Sequence, residues 1–397
     1  MIALGRYTEL LRTPHLGRLV LVSLVGRLPI GTATLALVLF MQAQTGSFGN
    51  AGMVGALYVL GLALMAPLLG RLMDRFGPRP ILAVTAVTYP IALTLVALLG
   101  ASGAAPAAVA AGALLAGASL PPITVCMRAL YPRLVPEPRL LKAAYSLDSA
   151  LVETVFVLGP SLVAFLVALG APVAAVVTAG ACGSLGAVLF LRARAPREWQ
   201  TPAPHGERHL LGPLARPGLR GVLVSVLFYA GAFGLFEMAV TGVAASQGVP
   251  AAAGVILAIA ATGGTLGVLA FGSHDWKLPA RSQWLTLMVL MLCGLLLLIP
   301  IENLYLFAAT GLLAASPMAA VIAAQSVLVS GLAPKGMLAE SFTWSATALL
   351  TGVSSGIAAG GALLEVASPA WVLACAAACT LVAICAGVLG LWRSGNT

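Results

Sequence analysis

Charge is what this chain has least of. Only 8% of its 397 residues are Asp, Glu, Lys or Arg, and 12 of them are acidic. A soluble domain carries about 25% charged residues, so a water-exposed surface of ordinary composition is excluded. The 6 cysteines, Cys126, Cys182, Cys293, Cys375, Cys379 and Cys385, all lie in apolar runs, with no zinc-type spacing and no disulfide framework. Cys375 and Cys379, four apart, read as packing residues. No Gly-rich phosphate loop and no nucleophile–base constellation occurs, which argues against an ATP-driven pump and against an enzyme. No metal and no cofactor is expected.

What the chain has is hydrocarbon: 60% of residues are hydrophobic and the mean hydropathy is +1.03. About twelve continuous apolar runs of roughly 18 to 27 residues follow one another, each able to cross a core about 30 Å thick at about 1.5 Å per residue. The runs do not alternate as barrel strands do, so they predict helices. The predicted spans are 17–41, 50–69, 79–101, 106–130, 143–169 and 172–191, then 219–245, 251–272, 283–300, 304–331, 341–366 and 369–392. No cleavage signature follows the first run, so it is read as a retained span.

The net charge of +9 sorts by loop rather than forming a nucleic-acid patch. Arg6, Arg12 and Arg18 precede the first span, Arg71, Arg75 and Arg79 follow the second, and Arg128, Arg133, Arg139 and Lys142 follow the fourth. The basic residues continue in alternate loops to Arg393, while the intervening loops hold no Lys or Arg. The positive-inside rule then predicts cytoplasmic termini and a multi-pass protein of the inner (plasma) membrane.

The halves repeat. Leu114-Leu115-Ala116-Gly117-Ala118-Ser119 recurs half a chain later as Leu312-Leu313-Ala314-Ala315-Ser316, and Leu134-Val135-Pro136 as Leu332-Ala333-Pro334. Gly159 and Gly356 fall in register, and Gly70 and Gly272 each close the second span of their half. The expected organisation is a six-helix bundle over 1–191, a proline-rich cytoplasmic linker over 192–218 and a second six-helix bundle over 219–397, with the transport path between the bundles.

Between the second and third spans stands Gly70-Arg71-Leu72-Met73-Asp74-Arg75-Phe76-Gly77-Pro78-Arg79-Pro80, a dense charged turn that breaks the helix and returns the chain to the bilayer. Gly70, Leu72, Asp74, Arg75, Gly77 and Arg79 resemble the signature loop of the major facilitator superfamily; Pro78 stands where that pattern has a second basic residue. The resemblance implies twelve helices in two pseudo-symmetric bundles. It also implies a gating role for Gly70, Asp74, Arg75, Gly77 and Arg79, with Asp74 near the start of the eleventh helix. In the fifth span, Val157-Leu158-Gly159-Pro160 resembles the Gly-Pro core of the superfamily's proton-driven exporters, although Ala164 and Phe165 replace expected glycines. In the fourth span Ser119-Leu120-Pro121-Pro122 predicts a kink.

Ionisable groups inside spans cost a few kcal/mol each and call for a reason. Arg27 and Glu153 lie at about equal predicted depth, roughly 15 Å, and are expected to form a buried charge pair. Glu237, deep in the seventh span with no evident cationic partner, is the expected proton-coupling carboxylate, with Glu153 in reserve. Glu237 snorkelling to the outer interface is the competing reading. Asp148 and Glu340, at helix starts, read as dipole complements. All four histidines fall on the basic side of the membrane, so carboxylates carry any proton relay. The family fold assigns spans one, four, seven and ten to the cavity. Their polar residues are Thr32, Thr34, Ser119, Thr124, Tyr229, Glu237, Thr241, Ser316, Gln325 and Ser326. Each can instead be a packing or backbone-bonded side chain. So weakly polar a cavity suits a lipophilic or amphipathic solute better than a free sugar.

The reading is an all-α secondary transporter exchanging such compounds for protons by alternating access, acting as a monomer in the lipid bilayer with a small-molecule substrate and no nucleic acid. The alternatives are an importer or uniporter of a small metabolite, or a non-transporting sensor or lipid-handling protein on the same fold.

Overall fold

A computed structural model describes residues 4–13, 16–193, 212–249 and 252–394. Most of the predicted linker lies outside the described residues. Among those described are 14 α-helices, from which 12 candidate membrane spans are built. In chain order they are α1 (Leu4–Arg12), α2 (Leu16–Thr45), α3 (Phe48–Phe76), α4 (Pro78–Ala101), α5 (Pro106–Ala118), α6 (Ile123–Leu134), α7 (Pro138–Ala168) and α8 (Pro172–Arg192). Then follow a 3₁₀ turn, Gly212–Ala215, and α9 (Pro217–Ser246), α10 (Ala252–Ser273), α11 (Ala280–Leu298), α12 (Leu304–Leu332), α13 (Leu338–Leu364) and α14 (Pro369–Ser394).

Two boundaries are informative. The fourth span is two helices, α5 and α6, because Pro121 and Pro122 have no N–H to continue the ladder. The charged segment after the second span, read as a turn, is instead almost wholly helical. α3 runs through Arg71, Asp74 and Arg75 to Phe76, and one residue, Gly77, separates it from α4. Gly77 takes φ +80° and donates to the Met73 carbonyl at 2.9 Å, a conformation costly for any residue with a Cβ. Pro78 and Pro80 break nothing, because the first turn of a helix has N–H groups without intrahelical acceptors. The apolar pattern ends before the hydrogen-bond ladder does, so hydropathy alone sets the helix end too early.

The helices fall into two compact units. One comprises residues 11–134 and 154–205; within it α2 packs on α8 and α3, α3 on α5, and α4 on α5 and α8. The other comprises 1–10, 135–153 and 206–397; within it α9 packs on α13 and α14, α12 on α10 and α11, and α11 on α14. The first part of α7 therefore groups with the C-terminal helices, and its second part with α2. In the C-terminal unit α1 is clasped to the end of α10. Arg6 pairs with Asp275 at 2.7 Å and donates to the Gly272 carbonyl, and Tyr7 donates to the Leu269 carbonyl at 2.7 Å. Burial pushes the Tyr7 phenol well above its ordinary range, against the opposing pull of Arg6, so it stays a donor.

The same close crossings recur in both units. Gly61 of α3 meets the Leu114 carbonyl of α5, and Gly263 of α10 meets the Leu312 carbonyl of α12. Gly26 meets Gly186, and Gly221 meets Gly390; Gly31 meets Gly159, and Gly231 meets Gly356. The sequence repeat at Leu114/Leu312 and Gly159/Gly356 thus marks places where helices touch backbone to backbone, the contact that small residues permit between spans. A methyl group at Gly61 or Gly263 would fall on a carbonyl. Gly61→Ala and Gly263→Ala should each destabilise by about 1–3 kcal/mol, as overpacking does. Gly331→Ala, with nothing within 4 Å, should be neutral or stabilising. Thermal unfolding in detergent checks this, and equal behaviour of all three variants would contradict it.

Candidate functional site

A buried polar assembly in the described C-terminal unit links three helices. Tyr229 of α9, Gln325 of α12 and Ser345 of α13 are 0%, 1% and 2% exposed. The Tyr229 hydroxyl donates to Gln325 Oε1, and Gln325 Nε2 donates to Ser345 Oγ. Buried polar groups are costly unless paired, and a glutamine amide, with an acceptor and two donors, can join two hydroxyls from different helices. The Tyr229 ring also packs at a tilt on Phe233, with centroids 5.3 Å apart. Beside Ser345, the indole N–H of Trp344 and the hydroxyl of Thr347 are buried with no hydrogen-bond partner among the described residues.

About 12 Å along α9 from Tyr229, at 1.5 Å per residue, stands Glu237. It is exposed, shares a helix face with exposed Thr241, and makes no ion pair among the described residues. Thr241 donates to the Glu237 carbonyl at 3.0 Å. The neighbouring face of α9 is committed to packing: Met238 lies against Gly360, and Gly234 against Val353.

In the N-terminal unit Arg27 of α2 is fully buried. Thr124, one residue into α6 after the proline break, keeps its hydroxyl buried without a hydrogen-bond partner. Thr32 and Ser119 turn back to their own helices, donating to the carbonyls of Leu28 and Ala116 at 3.0 Å each. Thr34 is half-buried, its methyl towards Gly55. Asp74 is 4% exposed and within electrostatic reach of Arg133 and Cys126. Arg71, Arg75 and Arg79 are exposed, with Arg75 over the Phe76 ring at 5.0 Å. Gly159 is the α2 contact point, and Pro160 continues α7 behind it.

The predicted residues are therefore only partly assembled. Tyr229 and Gln325 come together. Ser326 donates to Ile322, and Ser316 to Leu313, each within its own helix. Ser316 lines a cleft among α10, α11 and α12. Arg27 lies in one compact unit and Glu153 in the other. Asp148 and Glu340 are buried, and the Glu340 carboxylate stands against Gly212 of the 3₁₀ turn. Ser345, Trp344 and Thr347 stand on the eleventh span, outside the first, fourth, seventh and tenth that the family fold assigns to the cavity. The signal was present in Glu340-Ser341-Phe342-Thr343-Trp344-Ser345-Ala346-Thr347, a dense polar stretch within a span.

With this geometry in hand, the chain can be set beside known proteins. A family model described as Major Facilitator Superfamily matches residues 19–302. The chain belongs to the major facilitator superfamily. A relative from Sinorhizobium fredii (strain NBRC 101917 / NGR234), an uncharacterised MFS-type transporter, is 29% identical over 275 residues, covering 67% of this chain and 68% of its own. Among solved structures, a bacterial homologue of the iron transporter ferroportin in an outward-facing state superposes with TM-score 0.79 at 16% identity, over 95% of this chain and 99% of its own. The human organic anion transporter MFSD10 gives 0.72 at 18%, over 96% and 99%. The proton:xylose symporter XylE gives 0.72 at 14%, over 95% of each chain. At these identities the structures establish the fold alone; the family match, together with the 12 candidate spans, makes the chain a multi-pass secondary transporter.

In this superfamily member the Tyr229–Gln325–Ser345 chain has one central residue. Gln325→Leu should remove both bonds of the chain at once, at about 1–3 kcal/mol for each buried group left unsatisfied. Ser345→Ala or Tyr229→Phe removes one end and should cost less. Denaturation in micelles tests the order; a Gln325→Leu variant no less stable than Ser345→Ala contradicts it.

Proposed function

We propose that this protein is a proton-coupled exporter of small lipophilic or amphipathic compounds, with both termini cytoplasmic and two six-helix bundles joined by the 192–218 linker. The observation that carries the substrate class is the scarcity of free polar groups. Most hydroxyls on the predicted cavity-lining helices are bonded to their own backbone, which leaves the open Thr124 hydroxyl, the Tyr229–Gln325–Ser345 chain and Glu237, with the open Trp344 and Thr347 groups of α13 beside them. A free sugar presents many hydroxyls, each needing a partner once it leaves water. A solute with one or two polar groups does not.

Glu237 is the proposed coupling carboxylate, with Glu153 in reserve. A carboxyl on an exposed face of a span, without an ion pair among the described residues, can take a proton from one side and yield it when water or a cationic substrate arrives. Glu237→Gln keeps the shape and removes the titration. In proteoliposomes it should abolish transport driven by an imposed pH gradient and spare substrate exchange at equal pH. Unchanged gradient-driven flux would remove Glu237 from the mechanism, and wild-type flux indifferent to the gradient would favour a uniporter.

The segment from Gly70 to Arg79 is proposed as a gate rather than a binding site. Arg75→Ala should slow turnover at least tenfold while leaving equilibrium substrate affinity within about threefold, a ΔΔG below about 1 kcal/mol. Lost affinity with normal turnover per bound substrate would contradict the gating role.

A further inference from the structure

Two cavities meet at the end of α10, the smaller with the charged side chains and the larger more apolar. The smaller, about 230 Å³, is lined by Arg139 and Lys142 of α7, Asp275 and Trp276 of the following loop, and Gln283 of α11. The larger, about 640 Å³, is an apolar cleft among α10, α11 and α12 that includes Ala270, Leu290, Cys293, Leu297 and Leu313. Phe271 and Trp276 wall both. Trp276 is held there by its N–H on the Phe271 carbonyl at 3.3 Å and by edge contact with His274, centroids 5.4 Å apart.

Lys142 makes the smaller cavity unusual. The residue is 8% exposed. Its ammonium donates to the His274 carbonyl at 2.6 Å and lies 5.1 Å from the centre of the Phe271 ring, but forms no ion pair among the described residues. Asp275 pairs with Arg6 at 2.7 Å and Glu137 with Arg139 at 2.6 Å, while Asp275 acts on Lys142, and Glu9 on Arg139, only through space. A buried cation that lines a cavity and has no carboxylate within ion-pair distance among the described residues is open to an anionic ligand.

The cleft supplies the other half of the ligand. From the start of α11 to Leu297 is about 25 Å of helix, most of a hydrocarbon core of about 30 Å. Leu290, Leu297 and Leu313 on its walls are 50%, 63% and 69% exposed, so the cleft opens where lipid tails lie. Its aromatic and ionisable groups gather at the loop end, the arrangement that matches a tail below and a headgroup above.

We propose that this place binds one anionic phospholipid, its phosphate in the smaller cavity against Lys142 and one tail extended along the α10–α11–α12 cleft. Basic pockets between spans are suited to phosphate headgroups, and Lys supplies the point charge. Ser316 lines the same cleft, but the site uses none of Tyr229, Gln325, Ser345 or Glu237 and does not depend on the transport role proposed for them.

The test uses purified full-length protein in a neutral detergent, with thermal unfolding as the readout. Added phosphatidylglycerol should raise the midpoint by several degrees, while phosphatidylcholine and inorganic phosphate should not. Lys142→Gln, which keeps a donor for the His274 carbonyl, and Ala270→Trp, which fills the cleft, should each abolish the shift. An equal shift with phosphate alone, or with phosphatidylcholine, or in the Lys142→Gln variant, overturns the proposal. Should either variant fail to fold, phosphatidylglycerol with a photoreactive tail decides on the wild type. Labelling should concentrate on 287–297 and 310–320, at least fivefold above the exposed face of α4 carrying Val84, Val87 and Ile91. Uniform labelling of both surfaces overturns the site.

Discussion

Everything in this fold hangs on helices approaching until backbone touches backbone. Lipid tails are as apolar as leucine, so burying more leucine between two spans gains little; what remains is close packing and the few polar contacts that lipid cannot replace. Glycine supplies the approach. Gly61 against Leu114 and Gly263 against Leu312 set α3 on α5 and α10 on α12. Gly31 against Gly159 and Gly231 against Gly356 do the same for α2 on α7 and α9 on α13. Because the crossings are the same in both halves, each half can build the same bundle although most other side chains differ. The repeated residues are those with no room to change.

The close crossings also decide where polar groups can stand. Along α9 the faces carrying Gly234 and Met238 are taken by α13, so Tyr229 is directed to Gln325 and Glu237 to an open face. A hydroxyl in a span has an acceptor at hand in the carbonyl of the preceding turn. Thr32, Ser119, Thr241, Ser316 and Ser326 all use it. Gln325 has no such local solution for a whole amide, which is why it becomes the centre of a network.

The architecture was legible in the sequence because it rests on coarse quantities: run length, loop charge and a long-range repeat. The predicted and observed spans differ mainly at their ends. α3 runs on to Phe76 because hydropathy marks the edge of the hydrocarbon and not the end of the hydrogen-bond ladder. The pair Tyr229 and Gln325 was legible as two polar residues, but not as a pair, since contact between α9 and α12 depends on helix rotation that composition does not encode. Ser345, Trp344 and Thr347 were overlooked because a family expectation about which helices line the cavity outweighed the plain polarity of α13. Asp74 was read as a loop residue, and burial beside Arg133 gives it a structural reason to be there.

The substrate is the least legible property, and the reason is physical. A homologue of an iron transporter, an organic anion transporter and a proton:xylose symporter share this backbone at 14–18% identity, so the fold does not name the substrate. That information sits in a few side chains whose free hydrogen-bonding capacity is what remains after their own helices and neighbours have been satisfied. Counting polar residues overstates it, because most of those counted are already bonded to a carbonyl one turn away. Subtracting them leaves the open hydroxyl of Thr124, the open groups near Ser345 and the carboxyl of Glu237, a remainder far smaller than the polar residues of the spans suggest.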